Sequence, residues 1–187
     1  RRIDGHVGTY DAGDVIYLIT PDRFANGDPS NDDIDGYGDT VDRDDDYGRH
    51  GGDIEGVRQH LDYIADMGFT QVWLNPVLEN AMDRSSYHGY AITDYYKVDP
   101  RLGTWADVSH IARDHDLTVD VIVNHVSTRS PQYLDWVTRG EESPFADMFL
   151  TLGRVFPAPS SHLFLNLLLC PLVRTGRMMF YCSHRTT

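Results

Sequence analysis

The hexapeptide Asp120-Val121-Ile122-Val123-Asn124-His125 carries a β-branched apolar run into two side chains able to grip a polar ligand. A strand buried on both faces has little use for Asn and His unless its last residues surface at the rim of a sheet. In an α/β barrel that rim is where ligands bind. The plain alternative is a strand whose polar end meets solvent. A second stretch, Asn26-Gly27-Asp28-Pro29-Ser30-Asn31-Asp32, sets Asn26, Asp28, Asn31 and Asp32 close together. Gly51-Gly52-Asp53 adds a carboxylate beside glycines that let a backbone carbonyl come near. Calcium takes about six to eight oxygen ligands of these kinds. The spacing is not that of an EF-hand, since Asn31 and Tyr37 stand where its Gly and Glu belong. Asn, Asp, Gly and Pro are also turn formers, so on oxygen count alone a solvated turn is the simpler reading. Asp44-Asp45-Asp46 reads as a solvated acidic run.

These residues need elements to position them. Asp14 to Thr20 is an apolar run of strand length closed by Pro21. A long aperiodic loop, Asn26 to Gly52, follows it; loops of that length tend to be functional or held together by something. Asp53 to Met67 predicts an amphipathic helix with Ile54, Val57, Leu61, Ile64 and Ala65 on one face, Asp53 as N-cap and Gly68 past its end. Thr70 to Asn75, closed by Pro76, predicts a second strand, and residues 77–103 a long aromatic-rich connection. Thr104 and Asp107 form a capping box for a helix whose buried stripe is Trp105, Val108, Ile111 and Ala112. The Asp120 strand comes next, then a short helix from Ser130-Pro131 to just before Gly140. Alternating strands and helices predict a parallel sheet with right-handed crossovers. Long βα and short αβ connections favour a barrel over a doubly wound nucleotide fold, and no Gly-x-Gly-x-x-Gly or P-loop follows any strand. The expected fold class is therefore α/β, a partial (β/α)8 barrel comprising roughly its first three βα units and truncated, since a full barrel takes about 250 residues.

The chain has 187 residues and a formal net charge of −13. Such an acidic surface repels nucleic acid and anionic membranes, so neither is an expected partner. No apolar run is long enough to span a bilayer and no signal peptide is visible, which leaves cytoplasmic and exported locations both open. Cys170 and Cys182 lie near the C-terminus, so neither disulfides nor thiolate-bound metal shape residues 1–169. From Thr151 onward there is no Asp or Glu. The expected organisation is a barrel segment over 1–157 and an atypical tail over 158–187. That tail is either an apolar helix docking elsewhere or a disordered segment whose reading frame changed after Pro157.

Tyr10 to about Gly103 resembles the α-amylase family, glycoside hydrolase family 13, in its cyclomaltodextrinase and neopullulanase branch. The residues that carry the resemblance are Asp14 to Asp28, Gly51-Gly52-Asp53-Ile54-Glu55-Gly56-Val57 and Ser86-Tyr87-His88-Gly89-Tyr90. Leu102 to about Pro157 is more similar to sucrose phosphorylase, through Leu102-Gly103-Thr104-Trp105-Ala106-Asp107-Val108 and Gly140-Glu141-Glu142-Ser143. The resemblance implies calcium as the cofactor of the first loop, on Asn26, Asp28, Asn31, Asp32, Gly51 and Asp53. It implies that Tyr90 stacks under a sugar that His125 hydrogen-bonds, with His88 beside it. Asp120 would support the catalytic strands from beneath and Asn124 would lend a ligand in some members. Sugars offer an apolar face that an aromatic ring covers and hydroxyls that need polar partners.

A retaining glycosidase needs a carboxylate nucleophile and a carboxylic acid about 5–5.5 Å apart. No Gly-Phe-Arg-x-Asp-like segment follows His125, and Glu55, Glu79, Glu141 and Glu142 lack the context of a catalytic acid. The catalytic carboxyls are thus expected beyond this chain. The implied partner is an α-glucan or sucrose-type carbohydrate. Hydrolysis or transglycosylation of maltooligosaccharides and cyclodextrins, glucosyl transfer to phosphate, and a non-catalytic calcium-dependent carbohydrate-binding remnant are the readings this leaves.

Overall fold

The structure is a computed structural model, and it describes residues 12–149. The expected boundary after residue 157, the tail and both cysteines lie outside the described residues. Two compact units emerge: residues 12–90 with 94–121, and residues 91–93 with 122–149.

In the first unit the chain runs β1 (Ile16–Ile19), α1 (Ile54–Gln59), α2 (Leu61–Asp66), β2 (Gln71–Leu74), β3 (Leu78–Glu79), β4 (Asp94–Val98), α3 (Trp105–Asp114) and β5 (Asp116–Val119). β1, β2 and β5 form a parallel sheet with β2 in the middle. Its register sets Leu18 beside Trp73 and Trp73 beside Thr118. One face of the sheet buries Ile19, Val72 and Leu74 against Ile54, Val57, Leu61 and Ile64 of α1 and α2 and Val108 and Ile111 of α3. This is the alternation that a pleated strand imposes. The other face leaves Leu18 58% exposed. Parallel sheets are ordinarily covered on both sides, so this face is unfinished within the unit.

Local chemistry sets the element ends. Asp53 caps α1 through the Gly56 N–H, and Gly68 takes a φ of 91° after α2. Thr104 and Asp107 close a reciprocal capping box at α3. The single helix expected over 53–67 is two. The His60 Nδ1–H donates to the Gly56 carbonyl at 2.7 Å, the acceptor that a continuous helix would give to the His60 backbone N–H. That N–H bonds Val57 instead, and the helix breaks there. The connection over 77–103 is not wholly irregular, because β3 and β4 pair antiparallel within it. In α3 the stripe is Val108 and Ile111 alone; Trp105 is half exposed, with its indole N–H on the Tyr96 carbonyl, and Ala112 faces out.

The third parallel strand also differs from expectation. It spans Asp116–Val119 rather than starting at Asp120. β2 offers four residues for pairing, Gln71 to Leu74, and these meet Asp116 to Val119. The ladder closes where the Asp120 N–H reaches the Leu74 carbonyl, so Asp120 sits just past the strand's end. Val121 beyond it is exposed.

The second unit holds α4 (Pro131–Arg139), capped as expected by Ser130, whose Oγ accepts from the Tyr133 N–H. Trp136 stacks on the buried Phe149 ring at 4.8 Å, with Tyr133 edge-on. Glu141 and Glu142 lie exposed in a 3₁₀ turn, as solvated carboxylates do. No helix among the described residues is long and apolar enough to cross a membrane.

Candidate functional site

The first loop is folded around Asp53. Its Oδ1 accepts from the backbone N–H groups of Gly27 (3.1 Å) and Gly56 (2.6 Å). Its Oδ2 accepts from the Asp28 N–H (2.8 Å) and the Asn31 side-chain amide (3.3 Å). A carboxylate has about four acceptor positions, and all are in use. Asp53 therefore shapes the loop in this arrangement. Asn26 donates to Asp32 at 2.7 Å, and burial pushes the Asp32 carboxyl up from its ordinary value. Asp28 turns inward on its own 3₁₀ turn, accepting from Ser30. Gly51, at a φ of 82°, comes so close that a Cβ would sit 2.7 Å from Asp32 Oδ1 and 3.2 Å from the Asn26 amide. At Gly56 a Cβ would lie 1.9 Å from the Ala25 carbonyl, so only glycine lets loop and helix meet.

Of the six residues singled out from the sequence, Asp28, Asn31 and Asp53 are thus joined by hydrogen bonds, Asn26 and Asp32 form a second pair, and Gly51 approaches that pair closely. Two atoms among them are left over: Asn26 Oδ1 and Asn31 Oδ1 are buried without a hydrogen-bond partner. A buried acceptor left unsatisfied costs about 1–3 kcal/mol, so such atoms call for a ligand. No three His, Cys, Asp or Glu side chains among the described residues converge to hold an ion by themselves. An ion here would rest largely on amide and carbonyl oxygens, a donor set that suits a hard cation such as calcium.

Buried charges tie the long loops together. Asp22 receives the backbone N–H groups of His50 and Gly51, which fixes the returning strand of the first loop. Arg49 lies 3.5 Å from Asp22 Oδ1 with its Nε and Nη2 lacking hydrogen bonds, and burial followed by the nearby Arg101 charge lowers its pKa. Arg101 is fully buried. It makes two bonds to Asp99, one to the Asp39 carbonyl and one to the Asn80 carbonyl, with its guanidinium 4.6 Å from the Tyr37 ring centre. Burial would raise the Asp99 carboxyl, but the Arg101 bonds and charge outweigh it and hold the group below its ordinary range. Asp39 in turn accepts from the Ser86 N–H at 2.7 Å, and Asn80 donates to the Ser86 carbonyl. The segment leading to Tyr90 is thereby held from both loops.

Tyr90 donates its hydroxyl to Asp120 Oδ2 at 2.6 Å, and the Trp73 indole N–H donates to Oδ1 at 2.8 Å. Burial and the bond to Asp120 push the Tyr90 phenol up to about 12, so it stays a donor at any ordinary pH. His88 Nδ1 accepts the Tyr90 backbone N–H, and the two rings lie 5.7 Å apart, tilted by 34°. Asp120 was expected beneath the strands; it stands at the end of β5 and grips the Tyr90 hydroxyl. Asn124, exposed, and His125, half-buried, belong to the second unit. Sequence reasoning missed Asp22, Arg49, Asp39, Asp99, Arg101 and Trp73. Apart from Asp99 and Arg101, which pair two residues apart, their partners are distant in sequence, and only Trp73, an indole facing the unfinished side of a strand, left any signal.

Parallel strands with helices on one face and a clustered aromatic, carboxylate and amide site at their C-terminal ends fit part of an α/β barrel. Residues 18–162 match the family described as alpha amylase, catalytic domain, and the chain belongs to that α-amylase family. It is 44% identical over 123 residues to the beta/alpha-amylase of Paenibacillus polymyxa, covering 62% of this chain and 10% of that protein. It is 33% identical over 144 residues to neopullulanase 2 of Thermoactinomyces vulgaris, covering 72% of this chain and 23% of that one. It is 47% identical over 73 residues to the sucrose phosphorylase of Agrobacterium vitis, covering 39% and 15%. The chain thus spans a quarter or less of the length of these relatives. Its fold superposes on the cyclic α-maltosyl-(1→6)-maltose hydrolase of Arthrobacter globiformis with a TM-score of 0.64 and 29% identity, over 91% of this chain and 37% of that one.

Proposed function

We propose that this chain supplies the sugar-stacking and ion-holding part of an enzyme acting on α-glucosidic bonds in maltooligosaccharides or cyclodextrins. The observation that carries the reading is the Tyr90 hydroxyl locked on Asp120 at the C-terminal end of a parallel strand. That bond fixes a ring before a sugar arrives, so little conformational entropy remains to be lost on binding. His88 orients the Tyr90 backbone, and His125 and Asn124 are sugar-binding candidates of the second unit. The barrel assignment is proposed for residues 1–157 and leaves 158–187 as a tail of different composition; residues 1–11 and 150–187 lie outside the described residues. Strands supplied from outside the described residues would cover the Leu18 face.

Asn26, Asp28, Asn31, Asp32 and the Gly51 carbonyl would hold a calcium ion, with Asp53 keeping the loop in shape around them. The ion supplies charge that ties loop oxygens together. The two orphaned amide oxygens support this assignment. Calcium is expected to raise stability by about 2.7 kcal/mol at a hundredfold excess over its Kd. Asn26→Ala with Asn31→Ala is expected to weaken it roughly 10- to 100-fold. Calorimetric titration of the chelator-treated chain measures both, and identical heats in the double variant would remove Asn26 and Asn31 as ligands.

Among the described residues none is assigned the nucleophile or acid role, so the role proposed for this chain is binding rather than cleavage. Chromatography of maltoheptaose after incubation is expected to show no shorter products. The likeness to sucrose phosphorylases favours a second reading, glucosyl transfer to phosphate by the whole protein. Phosphate-dependent release of glucose 1-phosphate by that whole protein would select it over hydrolysis.

A further inference from the structure

Arg23 lies outside every role assigned above. Its Nη2 donates to the Asp46 and Gly48 carbonyls at 3.0 and 2.7 Å, and its Nη1 lies 2.8 Å from a ring nitrogen of His50. One guanidinium thus pins the segment that brings Gly51 back to Asn26 and Asp32. Its neighbour Asp22 pins the same segment by accepting the Gly51 N–H, and the Arg23 Nε lies 3.2 Å from Asp22 Oδ2. The face of the same guanidinium covers the Tyr87 ring, with Cζ 4.0 Å from its centre. Tyr87 meets the His88 ring edge-on at 5.2 Å, and His88 takes the Tyr90 N–H. A continuous set of contacts therefore runs from the ion loop through Arg23 and Tyr87 to the sugar-stacking ring. An arginine with its edge committed to one loop and its face to another has a fork and a plane to use at once, which lysine lacks.

From this we infer that Arg23 is a positioning residue that couples the ion loop to Tyr90, so that calcium and an α-glucan each tighten the binding of the other. The inference rests on the calcium and sugar roles proposed above. An ion drawing Gly51, Asn26 and Asp32 together steadies the 46–50 segment that holds the Arg23 edge. A steadied guanidinium holds the Tyr87 ring and hence the 86–90 turn. Coupling of this kind is reciprocal, because both ligands bias the same arrangement. A single guanidinium–ring contact limits its size to roughly 3- to 30-fold.

The test is maltoheptaose affinity, measured calorimetrically on the full chain in saturating calcium and in chelator. The natural chain is expected to bind the sugar roughly 3- to 30-fold tighter with calcium. Tyr87→Leu removes the ring while leaving the Arg23 bonds to Asp46 and Gly48. In it the ratio is expected to fall to about one, with calcium affinity within about twofold of the natural chain. Arg23→Lys, which keeps the charge, is expected to lose the ratio as well. An unchanged ratio in Tyr87→Leu, or a ratio of one in the natural chain when both ligands bind, would overturn the coupling. Absence of either binding heat in the natural chain instead sinks the reading beneath it, and the inference with it.

Discussion

Asp53→Ala is expected to cost about 3–5 kcal/mol of folding stability in the absence of any divalent ion, seen as a lower urea midpoint in chelator. The carboxylate is fully buried and accepts from Gly27, Asp28, Gly56 and the Asn31 amide. Alanine leaves the donors of three backbone groups without a partner, each costing about 1–3 kcal/mol if it stays dry. It also strips the N-cap from α1, which alone is worth about 1 kcal/mol. Relaxation and water entry keep the total below the plain sum. Asp53→Asn is expected to fall between, since its amide oxygen still accepts while its nitrogen faces donors. Were Asp53 chiefly an ion ligand, the alanine variant would match the natural chain in chelator and differ only when calcium is added.

Arg101→Met is expected to destabilise by a comparable margin, about 3–5 kcal/mol, because it abandons a buried partner charge. Asp99 is 2% exposed, and its carboxylate is held in the low range chiefly by Arg101, against the opposing effect of burial. The Asn80 and Asp39 carbonyls would lose their donor at the same time. A folded pKa below the ordinary carboxylate value of 3.8 gives stability that is present above that value and drains away as pH falls through the lower one. The natural chain should therefore lose this contribution only in strong acid. In Arg101→Met the carboxyl is buried without its cation, its pKa rises, and the dependence reverses, so that mild acid costs less than neutral pH. Adding Asp99→Asn to the variant should recover part of the loss, since a paired deletion is cheaper than an orphaned charge. Urea midpoints across a pH series check both arms, and a variant as stable as the natural chain at neutral pH would refute the network's role.

What the sequence showed plainly was local. The strands read over Asp14–Thr20 and Thr70–Asn75, found as Ile16–Ile19 and Gln71–Leu74, the Thr104 capping box, the Ser130-Pro131 helix start and the Gly68 stop all follow from neighbours a few residues apart. The crowding of Asn26, Asp28, Asn31 and Asp32 reads first as a solvated turn, and only the family resemblance singles that stretch out as an ion loop. β5 was misplaced because Val121-Ile122-Val123 has the better strand composition, yet the length of its partner β2 decides where pairing stops. The break at His60 depends on which donor takes one carbonyl, a choice that hydrophobic periodicity does not encode. Arg101 meets Asp39 across 62 positions and Trp73 meets Asp120 across 47, and polar partners at such separations leave no periodic trace. The clamp on Tyr90 was hidden for that reason, although Tyr90, His88 and Asp120 were each in view.

The most direct measurement is maltoheptaose binding to the full chain and to Tyr90→Ala and Tyr90→Phe, followed by calorimetry in calcium. A ring locked by Asp120 to carry a sugar predicts saturable binding that falls at least about tenfold in Tyr90→Ala. It predicts only a few-fold loss in Tyr90→Phe, where the ring stays and the bond to Asp120 goes. Equal affinities in Tyr90→Ala and the natural chain would contradict the assignment of this ring as the sugar platform.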